Sequence, residues 1–217
     1  MNQRIVTIVL GVALAFSLMA LVPRALAWRL PGNNQGYEPA QPIAFSHRLH
    51  AGELQVSCLY CHSGAETSRH AGIPAANVCM NCHRFVTATY AAVRAEDAEA
   101  EREHRAPRRV VSPELQKLYD ALALDRDLKP RPGARATPIV WTKVHNVPDF
   151  VYFDHRAHVT AGVACQECHG PVETMERMRQ VQTLTMGWCV NCHRTVDRTG
   201  VAGRPVRASL DCITCHY

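Results

Sequence analysis

The sequence predicts a mainly α-helical chain with much irregular structure, one N-terminal membrane helix, and a core that side chains alone do not fill. Three observations lead there. Aromatic residues make up only 6% of the 217 residues, so another large apolar object is needed to complete the interior. All ten cysteines fall in Cys-x-x-Cys-His units, at Cys58/Cys61/His62, Cys79/Cys82/His83, Cys165/Cys168/His169, Cys189/Cys192/His193 and Cys212/Cys215/His216. Behind Arg4, residues 5–22 form an uninterrupted run of apolar and small side chains.

A Cys-x-x-Cys-His unit reads as a c-type haem attachment site, in which two thiols add to the porphyrin vinyls and the histidine ligates iron from one side. On a helical turn, positions i, i+3 and i+4 share a face, so both sulfurs and the imidazole address one macrocycle. Zinc ribbons use cysteine pairs two at a time, and five pairs is an odd number. Neither zinc nor dithiol redox chemistry explains a histidine directly after every pair. Five covalently bound haems c are therefore expected, and they fill the core. The formal charge of +5 then offsets the roughly one net negative charge of each ferric haem with ionised propionates. No basic stripe interleaved with aromatics is present, and no nucleic-acid partner is expected.

Taken in order, residues 5–22 as a helix would reach about 27 Å against roughly 30 Å of hydrocarbon. Residues 1–27 are expected to remain as a membrane anchor, with Trp28 and Arg29 at the water interface. Ala25-Leu26-Ala27 also fits a signal-peptidase site, and a cleaved leader is the alternative. In both cases the remainder belongs on the periplasmic side of the cytoplasmic membrane, where c-type haem is attached. Residues 28–84 form a first module of two haems, entered through a Pro-, Gly- and Asn-rich tether. In the connector, 85–138, the Ala- and Glu-rich run 85–105 lacks Gly and Pro and should be helical. Ser112, Pro113 and Glu114 supply a cap, a first-turn proline and a dipole-favoured acid for a second helix to about Leu124. Residues 125–138 are a linker by composition, and 139–217 form a second module of three haems.

The two modules are repeats. Phe-x-His-Arg-x-His opens each, at 45–50 and 153–158, followed after seven and six residues by Cys-x-x-Cys-His, then by Cys-x-Asn-Cys-His-Arg. Equivalent residues lie 107 to 110 positions apart, as His62 and His169 or His83 and His193 do. Iron has two axial positions and each motif fills one. Of twelve histidines, His47, His50, His70, His104, His145, His155 and His158 are left to supply five distal ligands. The His-x-x-His units supply four, projecting at i and i+3 from one side of a turn. For the fifth, His145 lies on an apolar, aromatic-rich approach, WTKVHNVPDFVYF. His70 and the methionines Met175, Met178 and Met186 are the alternatives, a methionine ligand raising the iron's potential. Those methionines would otherwise pack against haem edges. His104, within RAEDAEAEREHRAPRR, is expected to face solvent.

The His-x-x-His pattern resembles the class III multihaem cytochromes c, in which the first histidine of such a pair ligates the next haem and the second a later one. Residues 139–194, with WTKVHNVPDFVYFDHRAHVTAGVACQECHG and LTMGWCVNCHR, resemble the pentahaem cytochrome c subunit of bacterial alternative complex III. So do YCHSGAETSRHAGIPAANVCMNCH and SPELQKLYDAL, and the likeness covers most of the chain after residue 40. The resemblance implies a periplasmic pentahaem domain beside an iron-sulfur/molybdopterin-like subunit, a monohaem cytochrome c and quinol-binding membrane subunits. It implies bis-histidine ligation, with His47, His50, His145, His155 and His158 at the matching positions.

The function expected is electron relay from a quinol-oxidising membrane complex to a periplasmic acceptor such as a monohaem cytochrome c or terminal oxidase, without a catalytic site in this chain. A multihaem reductase of nitrite or hydroxylamine needs an iron with an open position. Here every motif is regular and distal histidines suffice. A periplasmic carrier serving another reductase is the further alternative.

Overall fold

The computed structural model describes residues 3–27 and 34–216, mostly as short helices joined by irregular segments. Among the described residues the only β pairing recorded is isolated bridges, joining Leu124 to Pro130, Val151 to His216 and Val201 to Arg204. Helix α1, Gln3–Ala27, carries an apolar window at Gln3–Val22 with none of it buried against the rest of the chain. It is long and apolar enough to cross a membrane. The interface positions Trp28 and Arg29 lie outside the described residues.

The first Phe-x-His-Arg-x-His unit runs into a π turn, Arg48–Glu53, and the second into α6, His155–Ala161. Their difference follows from the gap lengths. Seven residues separate His50 from Cys58, and six separate His158 from Cys165. The π turn absorbs the extra residue: Leu54 N–H donates to Leu49 C=O, five residues back, at 2.9 Å. Helix α6 keeps the tighter pitch and stops at Gly162, whose φ of 91° closes a left-handed cap. The five attachment motifs lie on short helices: α2 (Cys58–Cys61), α3 (Ala76–His83), α7 (Cys165–His169), α8 (Met186–Thr199) and α9 (Cys212–Cys215).

In the connector, α4 covers Tyr90–Arg102, five residues shorter at its start than composition suggests. The reason is local competition. Thr87 C=O accepts from Ser112 N–H at 2.8 Å and its hydroxyl donates to Val110 C=O, so residues 85–89 stay out of the helix until Thr89 caps it through Ala92 N–H. Helix α5, Pro113–Ala121, is capped by Ser112 as expected and ends three residues before Leu124. Residues 125–138 fold back on α5 rather than running free: Arg131 N–H donates to Ala123 C=O and Thr137 N–H to Ala121 C=O, both at 2.8 Å.

The side-chain core is small, with Ala100, Leu118, Tyr119, Ala123, Ala65, Val144 and Met175 as its apolar members. The accessible surface is 15571 Å² for 24.1 kDa, against about 10,000 Å² for a close-packed monomer of that mass. The exposed α1 accounts for part of the excess. Apolar side chains beside the attachment motifs contribute more, among them Tyr60, Phe85, Val86, Phe150 and Ile213.

Candidate functional site

Each motif turn places two unpaired cysteines and a histidine on one side of a helix end. Within each motif the two cysteines differ in exposure. Cys82 and Cys192 are exposed, whereas their motif partners Cys79 and Cys189 are half-buried. In the other three motifs the order is reversed: Cys58, Cys165 and Cys212 are exposed, and Cys61, Cys168 and Cys215 are half-buried. The reason is helical pitch. Residues i and i+3 point about 60° apart around the axis, so the sulfur that leans on neighbouring polypeptide turns its partner outward.

In α3 and α8 it is the first cysteine that leans inward. Cys61 of the first motif is the electrostatic neighbour of Cys79, and Cys215 of the fifth that of Cys189. Cys82 and Cys192, three residues on, then face away from the polypeptide.

Burial pushes the Cys61, Cys79, Cys165 and Cys189 thiols up, and Cys168 to about 11. They are thiols at neutral pH. Among the described residues no three His, Cys, Asp or Glu side chains converge so as to hold a metal ion by themselves.

The imidazoles are fixed by backbone carbonyls. Nδ1 donates to Gly72 C=O from His62 at 2.6 Å, to Val86 C=O from His83 at 2.8 Å and to Ser209 C=O from His193 at 2.7 Å. On the upstream units, His50 donates to Ser46 C=O at 2.8 Å, His155 to Arg69 C=O at 2.9 Å and His158 to Asp154 C=O at 2.8 Å. A carbonyl only accepts, so Nδ1 carries the proton in all six and the Nε2 lone pair is left to bind metal.

The rings also face one another across consistent gaps. His50 and His83 have centroids 6.0 Å apart, His158 and His193 6.0 Å, and His155 and His169 6.2 Å. Two imidazoles bonded at about 2 Å on opposite sides of one iron place their centres about 6–6.5 Å apart. The centroid spacing of these pairs is thus compatible with an iron between them. His47 is the repeat equivalent of His155 and stands beside His62. Burial first, then His62 and His50, lower its pKa to about 4.

Sequence reasoning missed the aromatic support of these histidines. Phe45 stacks on His50 at 4.3 Å and meets His47 edge-on at 4.9 Å; Phe153 stacks on His158 at 4.7 Å and meets His155 edge-on at 4.9 Å. The signal was the phenylalanine that opens both units. Tyr119, fully buried, donates its hydroxyl to the His83 backbone carbonyl at 2.6 Å, tying α5 to the second motif.

His145 lies against His169: its Nε2 is 3.2 Å from His169 Nδ1 and the ring centroids are 4.3 Å apart, too close for an iron between them. The ring recorded beside His216 is Phe150, stacked at 5.8 Å, and Tyr152 N–H donates to Cys215 C=O at 2.8 Å. Burial, with neighbouring imidazoles, holds His145 at about 4 and His169 at about 3, so both are neutral at pH 7. His70 and His104 are exposed, Met175 is buried, Met178 is half-buried and Met186 is exposed.

The motifs contact one another in sequence. Asn81, inside the second motif, donates to the hydroxyl of Tyr60, inside the first, at 2.9 Å. The Cys58 and Cys165 thiols hydrogen-bond between the first and third motifs. There the π turn packs on the 3-10 turn Val172–Thr174, and α6 packs on the 3-10 turn Ser63–Glu66. Helix α6 carries the histidines facing both His169 and His193. Ser209, whose carbonyl holds His193, pairs its hydroxyl with Thr214 of the fifth motif at 2.9 Å.

The family model described as "Cytochrome c7 and related cytochrome c" matches residues 151–217. Over 198 residues the chain is 24% identical to the menaquinone reductase multihaem cytochrome c subunit of Nitratidesulfovibrio vulgaris, covering 81% of this chain and 76% of that protein. The chain is thus distantly similar to a multihaem cytochrome c subunit of a reductase complex, and its C-terminal third to the cytochrome c7 group.

Proposed function

We propose that this chain is a membrane-anchored pentahaem c-type cytochrome that relays electrons between a quinone-handling membrane complex and a periplasmic partner. The observation that carries the reading is the three imidazole pairs spaced for one iron each, with every member except His169 presenting Nε2 through an Nδ1–carbonyl bond. Haem c, once attached, supplies one-electron exchange at iron. The residues do the rest. Cys58/Cys61, Cys79/Cys82, Cys165/Cys168, Cys189/Cys192 and Cys212/Cys215 fix the five groups; His62, His83, His169, His193 and His216 hold one axial side. The outward set of Cys82 and Cys192 is compatible with this role, since a thiol must be reachable for a thioether to form. His50, His155 and His158 face His83, His169 and His193, His47 would serve His62 as the repeat equivalent of His155, and Phe45 and Phe153 keep their rings from turning.

In this reading the five attachment sites would follow one another as second, first, third, fourth and fifth, an order that the contacts between motifs support. A file of closely spaced attachment sites suits conduction from one to the next. The functional frame is the pentahaem subunit of alternative complex III, beside an iron-sulfur/molybdopterin-like subunit, a monohaem cytochrome c and quinol-binding membrane subunits. In that frame electrons leave quinol and run outward to a monohaem cytochrome c or terminal oxidase.

Likeness to the menaquinone reductase subunit favours a second reading, in which the same file runs toward the quinone. Purification in mild detergent tests both. Mass measurement of the denatured chain should show five haem additions, and fewer would overturn the assignment. Haems reduced by added quinol support the outward direction. Haems reduced only by a periplasmic donor, with quinone then consumed, support the inward one.

A further inference from the structure

We infer that His145 is not an iron ligand but the hydrogen-bond acceptor for His169, so that the third haem has its proximal histidine held by a side chain where those of the first, second and fourth are held by backbone carbonyls. This rests on the haem reading above and refines its third site.

Three proximal histidines, His62, His83 and His193, donate Nδ1–H to backbone carbonyls. At His169 the group within reach of Nδ1 is Nε2 of His145, at 3.2 Å. The ring separation of 4.3 Å excludes an iron shared by the two, and His155, at 6.2 Å and 13° from coplanar, stands at the spacing from His169 that an intervening iron needs. For Nδ1 of His169 to donate, Nε2 of His145 must keep its lone pair. It then cannot also bind the fifth iron.

His145 is held in place from both sides. The side-chain amide of Asn34 donates to Val144 C=O at 3.3 Å, and Asn146 N–H donates to Gln180 Oε1 at 3.0 Å. Gln180 is itself fully buried, its amide donating to Gln182 C=O at 2.9 Å and its backbone paired with Gly36 and Tyr37. The residue after His169 is equally constrained: Gly170 has φ 73°, and a Cβ there would collide with the Val181 side chain. The backbone on either side of this imidazole pair therefore has little freedom to carry His145 toward His216, which has Phe150 beside it.

The chemical consequence is specific to the third haem. An imidazole nitrogen accepts a proton more strongly than an amide carbonyl, so His169 becomes a more basic ligand and favours ferric over ferrous iron. His145 is a positioning residue, acting through His169. Removing it should weaken the ferric preference about tenfold, which for one electron is about 59 mV upward.

The test uses the whole detergent-purified protein with its haems. His145→Leu fills the space without an acceptor, and His145→Gln restores an acceptor oxygen. Paramagnetic resonance and a site-resolved redox titration should show an upward shift confined to the third haem in His145→Leu. The shift should be reversed in His145→Gln, with no new high-spin ferric iron in either variant. A new high-spin iron that binds carbon monoxide in His145→Leu would make His145 an iron ligand and overturn the inference. An unshifted third haem, or equal shifts in both variants, would overturn it too. Haem stoichiometry separates the levels: five attached haems with either of those results sinks only the role of His145, while fewer than five sinks the reading beneath it.

Discussion

Replacing Gly52 by alanine should destabilise this protein, although the same substitution in an open helix does the opposite. Gly52 lies in the π turn and is not among the glycines with positive φ, so alanine is allowed there by backbone conformation. On conformational grounds alone the change would be favourable by about 0.5–1 kcal/mol. Space reverses the sign. A Cβ on Gly52 would fall on the carbonyl oxygen of Glu173, a backbone atom of the facing 3-10 turn that cannot rotate away. Overpacking of this kind costs about 1–3 kcal/mol. The displaced turn also strains the hydrogen bond from Arg48 N–H to Met175 C=O, 2.9 Å long, worth about 1 kcal/mol. The net loss is about 1–3 kcal/mol. In urea, with a slope of about 2 kcal/mol/M, the midpoint should fall by about 1 M. Gly187→Ala is the control, in α8, where an added Cβ meets no polypeptide atom within 4 Å; it should gain about 0.4–1 kcal/mol. Because the Gly52 contact joins the two repeats, electron exchange between the first and third haems should slow in Gly52→Ala while exchange within each repeat is kept. A raised or unchanged midpoint for Gly52→Ala would refute the packing argument.

Tyr119→Phe should lower stability by about 1 kcal/mol, because the buried hydroxyl no longer reaches the His83 carbonyl; urea titration with haem content unchanged checks it. Phe45→Leu should loosen His50 and let the second haem bind carbon monoxide, and Phe153→Leu should do the same at the fourth through His158; flash photolysis of the reduced variants separates the two sites. Glu96 is held at about 2 by its hydrogen bond to Arg105 and then by Arg108 N–H. A depressed carboxyl contributes its stability above its ordinary value near 4.5 and loses it as pH falls toward 2. The urea midpoint should fall across that window in the wild type and less steeply in Glu96→Gln, and parallel curves would count against the ion pair.

What was legible in the sequence was whatever depends on spacing along the chain. Cys-x-x-Cys-His and His-x-x-His impose their geometry within one turn, so their residues could be named without knowing the fold. The N-cap at Ser112 is local in the same way. The placement of His145 was not legible, because it is decided by Asn34 and Gln180, 111 and 35 positions away in sequence. The outward set of Cys82 and Cys192 beside half-buried Cys79 and Cys189 was not legible either, because motif spacing treats the two sulfurs of a pair alike. The late start of α4 has the same origin as the placement of His145, since Thr87 prefers residues 110 and 112 to its own helix. Phe45 and Phe153 lie between these cases: their recurrence could be seen, but their stacking on specific imidazoles required the structure.

The π turn at Arg48–Glu53 bears on how such units are to be recognised elsewhere. One repeat has a residue more than the other between its second histidine and its first cysteine, yet His50 and His158 stand at the same 6.0 Å from the rings they face. The surplus residue goes into the girth of the turn, not into its length. A sequence search that insists on one fixed interval would accept one half of this molecule and discard the other. An interval allowed to breathe by one, with a widened turn expected wherever it is longer, would find both.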